Sequence, residues 1–444
     1  MIRTLMIWKV VPAALVPSAL VLAALLSALP AAAQPLTIPR FDFSFSNPGA
    51  RSQGFGGAFA ALADDATAAY ANPAGLVQLT ETEVSVEARL WGRSPEFIAG
   101  GRADGNAVGM GQDTTNGLLF GEDSSQDFGP SFTSVVIPRG RWSFAVYGHR
   151  LANFEQTAES QGFFFDDSPP PGAVGRFPAT RETVDLRVNT AGLAAAWRAS
   201  DAWSLGLAVI FSDVSLTTTS SAFLPDDDSS QSLFGPINFL PERRISSSFL
   251  DIDGTDISFS AGLLYRPSEQ ISLGLFYRRG AEAEGTGRFE TGPIFGEPLT
   301  FRNDARLEVP NVAGAGVAYR SPNGRITLAA EVDRVDYEGL VQVISDEDLE
   351  VEGREYRNAW DYHLGAEYAL LQSTPIIALR AGYWVESNGQ DLDDEDFHHY
   401  AVGLGIAGVD LASVGLPDRT LQIDLAADFS SQVDTLSLSL IYTF

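Results

Sequence analysis

The chain has no cysteine, a single lysine and four histidines among its 444 residues. Without cysteine there is no disulfide, no thiolate nucleophile and no sulfur ligand for a metal. Lys9 is the only lysine, and 29 basic groups face 57 acidic ones for a net charge of −28. A chain this acidic lacks the basic footprint that nucleic acid requires, and it suits docking on anionic lipid poorly. The histidines, His149, His363, His398 and His399, belong to no Gly-X-Ser-X-Gly, His-Glu-X-X-His, P-loop or dinucleotide pattern. His398 and His399 are adjacent on a strand, so alternation sends them to opposite faces. That arrangement suits a structural role better than a shared metal or a relay. No catalytic residue, cofactor or metal is expected. Beyond residue 33 no apolar run reaches the roughly twenty residues of a membrane helix.

The first 33 residues have a different character. Arg3 and Lys9 precede an apolar stretch, Val10 to Leu29, which ends in Pro30-Ala31-Ala32-Ala33. This is the layout of a secretory signal peptide cut between Ala33 and Gln34. A retained anchor is disfavoured by Pro12, Pro17 and Pro30.

Most of the remaining chain alternates with period two. The last twelve residues place Leu436, Leu438, Leu440, Tyr442 and Phe444 on one face and Thr435, Ser437, Ser439 and Thr443 on the other. One face of such a strand is apolar and the other polar. Leu421, Ile423, Leu425 and Ala427 alternate with Gln422, Asp424, Ala426 and Asp428 in the same way. Ile326, Leu328, Ala330 and Val332 alternate with Thr327, Ala329, Glu331 and Asp333. Carboxylates at successive inward positions are costly in a dry sandwich core and suit a wet lumen. Fourteen strands are expected, near 81–92, 131–138, 141–150, 183–198, 202–213, 254–266, 269–279, 304–320, 324–336, 358–371, 374–386, 397–408, 419–429 and 433–444. An even number with short turns on one side and long loops on the other is the signature of a bacterial transmembrane β-barrel. The long segments are 93–130, 151–182, 214–253, 280–303 and 337–357. The fold expected is therefore an all-β transmembrane barrel of about 14 antiparallel strands in the bacterial outer membrane. A terminal strand carrying Tyr442 and Phe444 resembles the assembly signal of such barrels, which implies the barrel-assembly machinery and membrane lipid as partners. A monomer is expected.

Residues 34–79 do not read as strand. Alanine-rich stretches around Ala58–Ala63 and Ala66–Ala71 favour short helices. Asp64 or Asp65 can cap the second, and Pro73 and Gly75 break it. The segment is too long for a linker, and it is small and apolar enough to fold inside a lumen. The division expected is signal peptide 1–33, plug 34–79 and barrel 80–444.

Here a family resemblance enters. Gly49-Ala50, Gly54, Gly56, Gly57, Ala63-Asp64-Asp65-Ala66 and Asn72-Pro73-Ala74-Gly75-Leu76 resemble the amino-terminal hatch of FadL-type outer-membrane transporters. Val309-Pro310-Asn311, Leu379-Arg380-Ala381-Gly382-Tyr383 and the run from His398 to Gly405 resemble the family's later strands. The resemblance implies passage of hydrophobic small molecules, long-chain fatty acids or hydrocarbons, by passive, hatch-gated diffusion with lateral exit through the wall. It carries Asn72, Pro73, Ala74 and Gly75 over as hatch residues near the ligand. Barrels of the PorV type, which shuttle proteins in secretion, share a similar amino-terminal pattern and are the alternative. A rim-active outer-membrane hydrolase is a third reading.

The outer loops carry apolar clusters. Phe163–Phe165, Phe234, Ile237, Phe239 and Leu240, and Phe295 offer a landing surface for a hydrophobic ligand. Packing of the loops on one another is the plainer explanation. Arg243 and Arg244 could hold a carboxylate head group, or pair locally with Glu242 or Asp251. The acidic runs 226–228, 346–348 and 391–396 lack the spacing of a calcium loop and read as solvated loops.

Overall fold

The computed structural model describes residues 43, 45, 47–167, 173–344, 356–389, 396–411 and 419–444, all within one compact unit, Pro39–Phe444. The expected signal peptide and its cleavage site, and the acidic segments 346–348 and 391–395, lie outside the described residues.

Among the described residues, seventeen strands form the main sheet, and fourteen of them close into a ring. They are β1 (Glu83–Arg93), β2 (Ser125–Arg139), β3 (Trp142–Ser160), β4 (Ala179–Arg198) and β5 (Trp203–Phe223). Next come β6 (Arg244–Tyr265), β7 (Ile271–Arg278), β8 (Asn311–Arg320), β9 (Ile326–Asp336) and β10 (Asn358–Leu370). The last are β11 (Ile376–Glu386), β12 (Phe397–Asp410), β13 (Thr420–Phe429) and β14 (Val433–Thr443). Each pairs antiparallel with its neighbours, and β14 closes on β1 from Thr443 opposite Glu83 to Val433 opposite Arg93. Closure joins the first strand to the last, which is what lets strands cross a lipid core without an open sheet edge at either end of the sheet. Among the described residues no helix is long and apolar enough to cross a membrane.

The faces follow the alternation. On β5, Trp203, Leu205, Leu207, Val209 and Phe211 point outward and are exposed, whereas Ser204, Ala208, Ile210 and Ser212 are buried inside. On β9, Thr327, Ala329, Glu331 and Asp333 are buried; on β13, Asp424 and Asp428 are. Large apolar side chains outside and polar ones inside is the order that a lipid solvent selects.

Three expectations are corrected. First, segments 151–182, 214–253 and 280–303 are not simple loops. β3, β4, β5 and β6 run well beyond the apolar belt, where Ser, Thr, Asp and Arg on the outer face remove the hydrophobic signal but not the pairing. Residues Glu282–Thr291 and Thr300–Glu308 form a hairpin in the register of β7 and β8, with Glu282 opposite Glu308 and Arg278 opposite Val312. Second, the expected strand 304–320 is two strands. The chain breaks at Val309-Pro310, where proline has no amide hydrogen to give. Third, the amino-terminal helices differ. The first, α1, is Ala50–Gly54 rather than 58–63, and α2 is Ala68–Ala71. Pro73 starts a 3-10 turn, Pro73–Gln78, instead of ending a helix; its missing amide falls at the first position, where it costs nothing. Asp65 Oδ1 accepts the Thr67 amide at 2.9 Å just ahead of α2.

Candidate functional site

Residues 47–79 sit inside the ring and are almost wholly buried. Small inward residues make the room. Gly206, Gly262, Gly274, Gly365, Gly382 and Gly403, on β5, β6, β7, β10, β11 and β12, carry no side chain where the segment presses on the wall. A Cβ at Gly262 would fall 2.1 Å from Asn72 Oδ1, one at Gly206 2.2 Å from the Ala74 nitrogen, and one at Gly382 2.1 Å from the Gly56 nitrogen. The segment is therefore shaped against a specific wall.

Hydrogen bonds fix it there. Asn72 Nδ2 donates to the Ala60 carbonyl at 2.8 Å and to the Leu263 carbonyl of β6 at 3.2 Å, while Oδ1 accepts the Ala74 amide at 3.1 Å. Glu331 accepts the Ala60 amide at 2.6 Å, Ser439 the Ala50 amide at 2.7 Å and Glu87 the Gly49 amide. At the end near the tight turns, Arg51 bonds Asp64 at 2.6 Å, and Asp64 also receives Arg320 of β8 at 2.7 Å. Burial alone would raise the Asp64 carboxyl, but the Arg51 and Arg320 guanidinium groups hold it down at about 2.

Cavities lie on the far side of this plug. The first is lined by Phe43, Phe45, Trp91 and Trp384 and by Arg89, Asp333, Asp361, His363, Glu386, His399 and Asp428. Trp384 lies between two imidazoles, with ring centroids 3.7 Å from His399 and 5.2 Å from His363. Its Nε1 donates to Asp428 Oδ2 at 2.8 Å. Toward the outer loops a second cavity shares Glu386, His399 and Val433 with the first. A third, mostly apolar, shares Phe45 and is lined by Tyr70, Leu151, Val188, Ile210, Arg278 and Pro310.

The wall changes beside the third cavity. Main-chain pairing of β2 with β3 stops at Phe132 opposite His149. Yet β2 continues on β1 to Ser125, and β3 continues on β4 to Ser160. Both outer pairings are irregular at that level, between Glu87 and Ala88 and between Arg150 and Ala152, so Leu151 is bulged. The seam is bridged by side chains: Asp127 Oδ2 accepts Arg150 at 2.5 Å and Asn153 at 2.9 Å. Arg150 also lies 4.8 Å over the Trp91 ring.

The residues expected from sequence fall into three places. Asn72, Pro73, Ala74 and Gly75 are buried against the wall and line none of these three cavities. In the outer loops, Phe234 stacks on Phe164 at 5.7 Å, and Ile237 is buried with Ala179, Phe223 and Phe239. Leu240 is half-buried and Phe295 exposed. Arg243 donates to the Pro225 carbonyl and to Asp228 at 2.8 Å, so its local partner is neither Glu242 nor Asp251. Arg244, half-buried, begins β6. The run 226–228 is tied into the loop, since Asp226 also accepts the Asn238 amide at 2.9 Å. Tyr442 and Phe444 sit together at the barrel end, rings 5.4 Å apart, with Phe444 bonded to the Thr82 carbonyl. Sequence reasoning passed over Trp91, Arg150, Arg278 and Trp384, and it named His363 without giving it a place in a site. Only the alternating carboxylates of β9 and β13 signalled a polar lumen.

A family model described as outer membrane protein transport protein (OMPP1/FadL/TodX) matches residues 31–396. The chain belongs to the FadL/TodX family. Its fold is also found in solved FadL/TodX-type structures. A Pseudomonas aeruginosa FadL homologue aligns at TM-score 0.62 and 15% identity, over 91% of this chain and 99% of that one. The Pseudomonas putida toluene transporter TodX aligns at 0.56 and 16%, over 91% and 99%, and the Ralstonia pickettii toluene transporter TbuX at 0.55 and 14%, over 90% and 98%. Among curated protein sequences nothing matches. Membership in the FadL/TodX family makes this an outer-membrane transport protein, with residues 47–79 in the position of the family's hatch.

Proposed function

We propose that the protein passes hydrophobic small molecules, long-chain fatty acids or hydrocarbons, across the outer membrane by passive diffusion, with lateral exit through the wall. The observation that supports this best is the β2–β3 seam. A lumen plugged by a hatch cannot release its ligand straight through without moving the whole plug. A seam without hydrogen bonds between the two main chains, next to an apolar cavity, needs only side-chain movement to open. Unpairing a stretch of β-ladder instead would expose several buried backbone groups, each costing about 1–3 kcal/mol. The ligand would land at exposed loop side chains such as Phe295, pass the cavities, and leave beside Leu151 into the membrane. Local shifts of the Asn72–Gly75 turn would widen the path. The protein-shuttle and rim-hydrolase readings have no comparable feature to rest on.

Native mass spectrometry of the barrel taken from membranes, with its organic extract analysed alongside, tests the reading. A fatty acid or hydrocarbon near one per barrel is expected. An empty barrel that retains a protein partner would overturn it in favour of the secretion shuttle.

A further inference from the structure

The outer loops carry an unfinished sheet edge, and we infer that it docks an extended peptide with an apolar residue and a lysine or arginine two positions apart. Between the outer ends of β1 and β2, residues Glu96–Arg102 and Gly117–Glu122 pair antiparallel. They belong to a second sheet with Phe164–Asp167 and Ala173–Arg176, in which Gly117–Glu122 is an edge strand. Among the described residues its main chain pairs with Glu96–Arg102 alone. In an antiparallel pair every second residue turns its N–H and C=O away from the partner, so the free side offers a row of unpaired groups. Proteins usually blunt such edges with Lys, Pro or a bulge. Gly117-Leu118-Leu119-Phe120-Gly121-Glu122 has no Lys and no Pro, and the one irregularity, between Ile98 and Gly100, is on the neighbouring strand. The edge is also held firm. Arg102 is buried and bonds Asp113 at 2.6 Å and Asp166, and the Ala103 amide donates to the Phe164 carbonyl at 2.8 Å.

The side chains decide what fits. Leu119 and Phe120 are exposed, Phe120 by 62%. On one face Phe120 lies opposite Ile98 and, two residues on, Glu122 lies opposite Glu96. Like charges directly across a ladder destabilise it, and both glutamates are exposed with no ion pair among the described residues. Between residues 94 and 124 the one cation is Arg102, which is paired with Asp113 and Asp166. A strand added beside Gly117–Glu122 places alternate side chains on this face. An apolar residue then meets Phe120, and a lysine or arginine two positions along meets the glutamate pair. Main-chain bonds supply the affinity, and the alternate side chains supply the choice of sequence. A second copy of this chain would bring the same glutamates to the edge and no cation. A cationic peptide is therefore the occupant that the charges favour.

The test uses the full barrel in nanodiscs of neutral lipid at physiological ionic strength. The probe is the end-blocked peptide Thr-Val-Thr-Lys-Thr-Val-Thr-Lys-Thr, with valine and lysine alternating on one face. It is compared with a copy carrying glutamate for lysine and with a copy N-methylated at every residue, which keeps the charge and loses the main-chain donors. The probe is expected to bind about tenfold more tightly than either copy. Leu119→Lys with Phe120→Lys, both at exposed positions, should cut its binding about tenfold, and Glu96→Gln with Glu122→Gln should cut it severalfold. Glu242→Gln with Glu297→Gln, which removes the same charge from other outer loops, should leave it unchanged. Equal binding of the N-methylated copy would overturn the inference, since no strand is then added. An equal loss in the Glu242 and Glu297 variant would overturn it as an effect of general acidity, and equal binding to empty nanodiscs as partition into lipid. Failure of the probe to bind at all would overturn it as well.

Discussion

The side chain of Asn72 ties the hatch to the wall at Leu263: its Nδ2 lies 3.2 Å from that β6 carbonyl while also holding Ala60 at 2.8 Å. One amide thus joins two turns of the hatch to a strand 191 residues further along. Asn72→Ala leaves those buried groups unpaired, at a cost of about 1–3 kcal/mol. The expected outcome is a barrel that still assembles but leaks small polar solutes. Single-channel conductance in planar bilayers would show it as a raised baseline current.

The wall glycines make a complementary prediction. Gly262→Val places carbon where Asn72 Oδ1 now lies. Overpacking of this kind costs roughly 1–3 kcal/mol, and the hatch, not the fourteen-stranded wall, should yield. Limited proteolysis should then cut within residues 47–79 while the barrel keeps its heat-modifiable mobility on gels. Gly140→Val, in an open turn at φ 66° with nothing near a Cβ, should strain its own turn without exposing the hatch.

Asp64 sets an acid limit. Its folded-state value, about 2, lies below the ordinary 3.8 because Arg51 and Arg320 outweigh the effect of burial. A carboxylate with a lowered folded-state value stabilises fully above its unfolded value, and that contribution is lost as pH falls through the folded one. The difference is on the order of 2 kcal/mol. Protection of the hatch amides, corrected for the pH dependence of intrinsic exchange, should carry an Asp64-dependent loss between about pH 4 and pH 2. In Asp64→Asn this Asp64-dependent loss should be absent, and hatch protection at neutral pH should be lower than in the parent.

Much of this architecture was legible in the sequence. Alternation such as Trp203 to Phe211 named strands and their lipid face, because lipid rewards the large outward side chain at every second position. The extensions of β3 to β6 were not legible, since above the lipid both faces can be polar and alternation vanishes. The hatch was legible as non-strand, but its helices were misplaced: Ala58–Ala63 has the propensity, yet the wall imposes turns there, with Ala63 at φ 36°. The first cavity is lined by residues from strands far apart in sequence, Trp91 of β1 and Thr435 of β14 among them. Only closure of the ring brings them together. Of the loop residues, Phe295 is exposed and available to a ligand, whereas Ile237 is buried in the loop's own packing.

Arg150 is the cross-seam contact most open to substitution. Arg150→Ala removes the bonds to Asp127 and to the Pro130 carbonyl and the stacking on Trp91, the last worth about 0.5–2 kcal/mol. Uptake of a hydrophobic tracer should rise severalfold, with polar-solute conductance unchanged, because the hatch is untouched. Uptake by whole cells and conductance in bilayers, measured on the same variant, separate the two routes.

The most direct measurement takes advantage of the absence of cysteine. With Asp127→Cys and Asn153→Cys on the two sides of the seam, a bifunctional maleimide joins β2 to β3 in an otherwise thiol-free barrel. If ligands leave laterally at this seam, uptake of a hydrophobic tracer should fall at least tenfold on cross-linking, while the uncross-linked double variant, which lacks the Asp127 bonds across the seam, transports at least as fast as the parent. Undiminished uptake through a fully cross-linked barrel would contradict the account.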